Sequence, residues 1–279
     1  MTLSFYLCAA AAWAQISGTT FADAKKNKTA TWVFTYSETP SFSSKQPDGS
    51  VQGLAVDIMK KFGQFVQQTE GIKVTVEFKA KNPDDFRGFL EEVKTAKGGV
   101  FGLGNVTITE VRKKEYEFSP AFIKNISTLC TNKDVPTLVS LDKAAEAFKG
   151  FKAIAVAGST NEKAVQEIRA KYIPTSVLQQ VESNQEAVDA IASNKKAYSN
   201  IDFAFYLNAM RKNIPIKRHP VGDQSTEEFG IIMPKSNDWS PLMAKFINAE
   251  FLRSDDYRKM LSTNLGSNAL KLMDSFQKK

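Results

Sequence analysis

Residues 105–120 read NVTITEVRKKEYEFSP, and the rest of the chain is best understood from this segment. Apolar residues alternate in it with Thr107 and Thr109, so one side is apolar and the other carries hydroxyls. Arg112 follows soon after. A guanidinium beside hydroxyls and free backbone amides suits a planar carboxylate, because it donates two parallel charge-assisted hydrogen bonds. On local spacing alone, a surface arginine after a strand is the competing interpretation.

Strand and helix patterns alternate around this segment. Residues 31–35 have the composition of a strand, residues 54–68 carry apolar residues at helical spacing, and residues 100–103 form a buried strand. After an extended segment at residues 126–131 the pattern restarts with a strand at residues 153–157 and a helix. This alternation predicts α/β units with largely parallel sheets.

Two positions in the second half fit either a helix cap alone or a charged ligand. Ser159 followed by Glu162 is a capping-box pattern, which leaves free backbone N–H groups at the end of a strand, where anions bind. Asp202 ends the next strand pattern and precedes a helix. It either caps that helix or holds a cation.

The order of these residues resembles that of the type 2 periplasmic solute-binding proteins, particularly the polar-amino-acid-binding family (bacterial extracellular solute-binding proteins, family 3). The family signature is a small polar residue, x-Ser/Thr-x-Thr-x-x-Arg, a few basic residues and Phe-Ser-Pro. The matching residues here are Asn105, Thr107, Thr109, Arg112, Lys113, Lys114, Phe118, Ser119 and Pro120. Further matches follow in the family's order at residues 53–58, 158–160, 202 and 229–235. The resemblance implies an α/β fold of two lobes, each a mostly parallel sheet flanked by helices, joined by two crossover strands near residues 126–131 and 216–221.

The resemblance also assigns residues to the carboxylate of a ligand. In the family the signature arginine grips the α-carboxylate and the hydroxyl position supports it, which gives these roles to Arg112 and Thr107. Asn105 occupies a position that is often Ser or Gly in the family. From the second lobe, Thr160 and Ser159 are expected to touch the same carboxylate.

The rest of the ligand is expected to contact three further residues. By resemblance, Asp202 holds the ammonium group. Tyr36 and Phe42, in the loop after the first strand, offer ring faces for apolar or cation–π contact. Core packing is the alternative interpretation for Phe42. Specificity for the ligand side chain is expected to depend on this loop, including Glu38 and Thr39.

The expected organisation is a signal peptide and two lobes. Residues 1–22 contain no Asp, Glu, Lys or Arg, and their apolar block is too short to span a bilayer. Small residues that a signal peptidase reads precede positions 15 and 23. We predict a signal peptide at residues 1–22, a first lobe from residues 23–127 and 221–279, and a second lobe from residues 128–220, with export to the periplasm or cell exterior.

Composition excludes several other classes of protein. The net charge is +7, but the lysines are scattered and no nucleic-acid-binding motif accompanies them, so no nucleic-acid partner is expected. His219 is the single histidine, and Cys8 and Cys130 are the only cysteines. A zinc cluster of His and Cys with ordinary composition therefore cannot be assembled. We expect no metal and no cofactor, and a structural role for His219.

These observations predict a monomeric receptor that closes on an amino acid or similar small zwitterion and delivers it to a membrane permease of the ABC type. Two alternatives remain. Some proteins of this fold are periplasmic cyclohexadienyl dehydratases, which keep the arginine and add catalytic residues; we expect no catalytic residues here. A ligand-binding module for a membrane sensor is the other alternative. The identity of the ligand is not encoded in these patterns.

Overall fold

Two five-stranded sheets with helices packed on them form the two lobes. The computed structural model describes residues 15–224, 227–266 and 270. The first pass through lobe 1 contains, in chain order, β1 Ser17–Gly18, α1 Phe21–Asn27, β2 Thr29–Tyr36, β3 Ser44–Lys45, β4 Val51–Gln52, α2 Leu54–Glu70, β5 Lys73–Phe78, α3 Phe86–Thr95, β6 Lys97–Gly98, β7 Val100–Leu103, α4 Glu110–Lys113 and β8 Tyr116–Phe118.

The chain then crosses to lobe 2 and returns. The crossing and lobe 2 contain β9 Ile123–Lys124, β10 Ser127–Asn132, a 3-10 turn Leu141–Lys143, α5 Ala144–Ala147, β11 Lys152–Val156, α6 Thr160–Tyr172, β12 Val177–Val181, α7 Asn184–Ser193, β13 Ala197–Asp202, α8 Phe203–Arg211 and β14 Ile216–Gln224. The return contains β15 Glu228–Phe229, β16 Ile232–Pro234, α9 Ser240–Phe246, α10 Ala249–Arg253 and α11 Asp255–Leu265. Among the described residues, no helix has the length and apolar character needed to cross a membrane.

The two sheets are built in the same way. Lobe 1 has the strand order β5-β2-β7-β16-β8 and lobe 2 the order β12-β11-β13-β10-β14. In each, three neighbouring strands are parallel and two further strands are added antiparallel. The parallel strands are joined through helices, as parallel pairing requires. Each sheet is therefore mixed, with the predicted parallel arrangement in three of its five strands.

Packing in the core of lobe 1 holds the loop after β2 in place. Trp32 on β2 is fully buried and stacks on Phe62 of α2, with ring centroids 5.0 Å apart. At the start of α2, Gly53 has φ +137°, and a Cβ there would lie 2.4 Å from the carbonyl carbon of Phe42. Any larger residue would push the loop away, so Gly53 keeps the loop after β2 against α2.

The strands at the crossing differ from the predicted crossovers. β9 pairs antiparallel with β15, matching Ile123 with Phe229. β10 and β14, which include most of the residues predicted as crossovers, instead pair with each other inside the lobe 2 sheet. Residues 221–224, predicted in lobe 1, therefore pair in the second sheet. Alternating apolar residues indicate a strand, but they do not show which sheet it joins.

Residues 15–22 belong to the packing of lobe 1. β1 pairs with β6, and the Phe21 N–H donates to Asp238 Oδ1 at 2.6 Å. The signal peptide at residues 1–22 stays a prediction, and residues 1–14 lie outside the described residues. Cleavage after Ala22 would remove β1 and part of α1, whereas cleavage after residue 14 would leave both intact.

His219 has a structural role in lobe 2. Its Nε2 lies 2.7 Å from Thr131 Oγ1, and its Nδ1 accepts from the Leu138 N–H at 2.9 Å. Burial lowers the pKa of His219 to about 4, so the ring is neutral at physiological pH. The structural role expected for the single histidine is confirmed.

Candidate functional site

Arg112 lies at the boundary between the lobes. It belongs to α4, the short helix after β7, where the Thr109 hydroxyl caps the helix by accepting from the Arg112 N–H at 3.1 Å. Arg112 Nη1 donates to the Thr107 carbonyl at 2.9 Å, and Nη2 donates to the Gly158 carbonyl of lobe 2 at 3.3 Å. Its guanidinium lies 5.5 Å from the centre of the Phe86 ring. The guanidinium therefore connects the two lobes.

Threonines from both lobes meet beside this arginine. Thr107 Oγ1 and Thr160 Oγ1 are 3.2 Å apart. Thr160 is the first residue of α6, where the N–H groups of the first turn have no partner within the helix backbone. The predicted proximity of Thr107 and Thr160 is thus present, although their contact with a ligand stays a prediction.

Ser159 acts within its own lobe. Its hydroxyl accepts from the Glu162 N–H at 3.0 Å and donates to the Val156 carbonyl at 2.7 Å. Glu162 Oε2 in turn accepts from the Gly158 N–H at 2.8 Å. The predicted capping pattern is confirmed, and it uses the Ser159 hydroxyl that was also predicted to contact a ligand.

Asp202 does not cap the helix that follows it. It occupies the N-cap position of α8 but its side chain makes no capping hydrogen bond. Asp202 Oδ2 accepts from Asn105 Nδ2 of lobe 1, and Oδ1 accepts from Asn125 Nδ2 at 2.6 Å. Asn161 of α6 is a further hydrogen-bond partner. The carboxylate is therefore directed into the boundary, together with Asn105.

The surroundings of Asp202 disfavour its ionised form. Burial, and next the negative charge of Glu227, raise the pKa of Asp202 well above its ordinary value, against the hydrogen bonds from Asn125, Asn161 and Asn105. Desolvation lowers the pKa of Arg112, opposed by Glu227, Tyr116 and Asp202. An arginine remains cationic at neutral pH despite such a shift. One buried acid and one cation thus influence each other across the boundary.

Tyr36 and Phe42, predicted as ligand contacts, are both buried. Tyr36 packs against Phe78 with centroids 6.4 Å apart, and desolvation, followed by Glu38 and Asp84, raises its pKa. Their contact with a ligand stays a prediction.

Phe42 packs as a core residue at the crossing between the lobes, which was the alternative interpretation of this position. It is 0 % exposed, and its ring lies 6.3, 6.5 and 5.8 Å from the rings of Phe122, Phe203 and Phe229. Phe203 directly follows Asp202, so this aromatic cluster joins the first loop to the site.

The first loop also reaches the site through polar groups. Thr39 Oγ1 donates to Asn105 Oδ1 at 3.0 Å, which orients the Asn105 amide toward Asp202. Glu38 accepts from the Lys45 N–H at 3.0 Å and lines a cavity of 540 Å³ between the lobes. On the other side of that cavity, Arg211 Nη2 donates to Ser41 Oγ at 3.1 Å.

Three residues of the site were not predicted from the sequence. Asn125 and Glu227 lie on the two crossing segments, and Asn125 Nδ2 donates to Glu227 Oε2 at 2.8 Å. Asn161 follows Thr160 at the start of α6. The position of Asn161 beside a predicted contact was a usable signal. The meeting of Asn125 and Glu227 depends on the pairing of distant segments, for which the sequence offers no sign.

The raised pKa of Asp202 predicts a pH effect on stability. A carboxyl whose pKa is higher in the folded state retains a proton that the unfolded chain releases, so stability falls as the pH rises from about 4 through the raised pKa. Asp202→Asn has no group that titrates at this position. We therefore expect the wild type to lose more free energy of unfolding than the variant between acidic and mildly alkaline pH, measured by urea denaturation without ligand. An equal pH dependence in both proteins would contradict the assigned shift.

The fold and the site together define a class: a two-lobed α/β binding protein, with residues of both lobes and opposite charges meeting at the boundary. The comparisons with known proteins identify the family. Residues 32–263 match the family described as bacterial extracellular solute-binding proteins, family 3. The chain belongs to this family, and the resemblance carried by residues 105–120 is confirmed.

Individual relatives agree with this assignment. The chain is 29% identical to the ABC transporter glutamine-binding protein GlnH of Bacillus subtilis (strain 168) over 226 residues, which cover 78% of this chain and 74% of the relative. An ancestral arginine-binding protein solved with bound glutamine is 25% identical and has a TM-score of 0.67, covering 85% of this chain and 98% of its own.

A substrate-binding protein of an ABC uptake transporter from Streptococcus pneumoniae, solved with bound histidine, is similar in fold. Its TM-score is 0.67 at 18% identity, with 88% of this chain and 96% of its own covered. The two-lobed type 2 fold is therefore confirmed, and solute binding for uptake is the general function that the family supports.

Proposed function

We propose that this protein is an exported, monomeric receptor that closes on one amino acid or a similar small zwitterion and presents it to an ABC-type permease. The observation that carries the proposal is the placement of a cation and an acid at one interlobe boundary. Arg112 of lobe 1 bonds to Gly158 of lobe 2, and Asp202 of lobe 2 bonds to Asn105 of lobe 1. A zwitterionic ligand carries an anionic group for Arg112 and a cationic group for Asp202.

Closure follows from where the groups lie. A ligand carboxylate at Arg112 would take hydrogen bonds from Thr107 of lobe 1 and from Thr160 and the N-terminus of α6 of lobe 2. A ligand ammonium at Asp202 would bind an acid that lobe 2 supplies. Both ends of the ligand are satisfied only when the lobes are together, so its binding energy favours the closed state. A permease, or a membrane sensor, would recognise that state.

A thermal-shift screen tests the proposed function. A ligand that binds only the folded state raises the melting temperature by mass action, by an amount that depends on its concentration relative to Kd. We expect at least one amino acid to raise the melting temperature, and its ester and its N-acetyl derivative, which lack one of the two charges, to have little effect. Calorimetry then gives Kd. If amino acids, small peptides and organic acids all leave the melting temperature unchanged, the proposal is wrong.

One observation favours the enzymatic alternative, a cyclohexadienyl dehydratase-like activity. Burial raises the pKa of Asp202, as is required of a carboxyl that donates a proton near neutral pH. The hydrogen bonds that Asp202 accepts from Asn105 and Asn125 instead favour a carboxylate that holds an ammonium. Ultraviolet detection of phenylpyruvate or phenylalanine formed from prephenate or arogenate separates the two functions, and we expect no product above the uncatalysed rate.

A further inference from the structure

Two acids, not one, meet the ammonium end of the site. The amide of Asn125 donates to Asp202 Oδ1 at 2.6 Å and to Glu227 Oε2 at 2.8 Å, so both carboxylates share one donor. Because the same nitrogen makes both bonds, Asp202 Oδ1 and Glu227 Oε2 lie no more than 5.4 Å apart. Like charges this close in a partly desolvated site disfavour each other unless a cation joins them.

Two ionised acids at the ammonium end of the site exceed the single α-ammonium of a ligand, which leaves a negative excess there. Glu227 is the first of the charges that act on the buried guanidinium of Arg112, ahead of Asp202. When both carboxyl groups are ionised, Arg112, Asp202 and Glu227 together carry one positive and two negative charges. A neutral zwitterion adds one charge of each sign and leaves the excess unchanged. A ligand with a second cationic group removes it.

Buried hydrogen-bond acceptors beside the two acids also favour a ligand with a second cationic group. Asn125 is 0 % exposed and Asn161 is 2 % exposed, and both use their amide nitrogens on the acids. Within the part of the chain that the structure describes, the Oδ1 atoms of Asn125 and Asn161 accept no hydrogen bond. Buried acceptors need donors. An ammonium alone has three donors, and a guanidinium has five.

We propose that the ligand is a dibasic amino acid, with a second cationic group received by Glu227 and by the free oxygens of Asn125 and Asn161. This inference rests on the proposed function. Asp202 holds the α-ammonium in both cases, and Glu227 adds the preference for a basic side chain. Glu227 is thus assigned as a specificity-determining residue at the crossing between the lobes.

Matched ligands test this inference with the unmodified protein. Arginine and citrulline have nearly the same shape, but only arginine carries the side-chain charge, and lysine and norleucine form a second such pair. In calorimetry we expect the charged member of at least one pair to bind at least about tenfold more tightly, the effect of a hydrogen-bonded charge. Equal affinities within both pairs would overturn the inference, because the side-chain charge of the ligand would then make no favourable contact.

A variant at position 227 assigns the preference to its residue. In Glu227→Gln we expect the ratio of arginine to citrulline affinity to fall toward 1, with citrulline binding little changed. Glu228→Gln is the matched control, since it removes the same charge from the neighbouring exposed residue of β15. A ratio that survives Glu227→Gln in a folded protein would overturn the assignment. If the variant does not fold, the wild-type comparison still decides the ligand class.

The outcomes also separate this inference from the function on which it rests. Binding of neutral amino acids, dependent on Arg112 and without preference for basic ones, would leave the receptor function intact and reject the role of Glu227. Failure of neutral, acidic and basic amino acids alike would reject both.

Discussion

Replacing Arg112 with alanine is expected to weaken binding of the cognate amino acid by about 3 to 5 kcal/mol, or about a hundred- to several-thousandfold in Kd. The ligand carboxylate would remain desolvated at the boundary without its guanidinium, which is the costly outcome for a buried charge. The variant also loses the bond from Arg112 to the Gly158 carbonyl, one of the contacts that hold lobe 2 against lobe 1. Calorimetry on the purified protein measures the change.

Two further variants make the result specific. Arg112→Lys keeps the charge but not the planar fork, so its affinity should fall between those of the wild type and the alanine variant. Lys113→Ala should bind as the wild type does, because the Lys113 side chain is exposed and paired with Glu110. Wild-type affinity in Arg112→Ala would show that the arginine is a structural residue of α4.

Asp202→Asn is expected to weaken amino acid binding by about 2 to 5 kcal/mol, as when one partner of a buried charge pair is lost. The change preserves the shape of the side chain, removes its charge and replaces one of the two accepting oxygens with an NH2 donor. Simple carboxylates that lack an ammonium group, such as propionate compared with alanine, should bind about as weakly as before. Calorimetry with both ligand types shows whether the ammonium is the group that Asp202 recognises.

Asp189→Asn is the control for the acid. Asp189 lies on the exposed side of α7 in the same lobe, where it accepts from Gln185 at 2.9 Å. Its replacement should leave both ligand types unaffected. An Asp202→Asn variant that loses carboxylates and amino acids in the same proportion would indicate damage to the fold of the site and not loss of an ammonium partner.

The fold was predictable because its signals are local. Apolar residues at helical spacing correctly indicated α2, and the Ser159 and Glu162 pattern indicated the cap of α6. Family order then joined these segments into two lobes. The resemblance also placed Arg112 and Thr160 near each other, because it assigned both residues to one ligand carboxylate.

The remaining features of the site depend on which distant segments of the chain pack together. At position 202 an aspartate fits a helix cap as well as a ligand contact, and only the hydrogen bonds from Asn105 and Asn125 distinguish the two. Phe42 fits a ligand contact or a core residue, and its burial among other rings follows from the crossing of the lobes. Glu227 is separated from Asn125 by 102 residues, so no local pattern reveals their shared hydrogen bond.

A crystal structure with the amino acid selected by the thermal-shift screen tests most directly whether one zwitterion bridges Arg112 and Asp202. The predicted result is a ligand between the lobes with its carboxylate at about 2.7 to 3.0 Å from the Arg112 guanidinium and its ammonium at a similar distance from the Asp202 carboxylate. A ligand held elsewhere, for example in the cavity beside Glu38 and Arg211 without contact to either residue, would contradict the account.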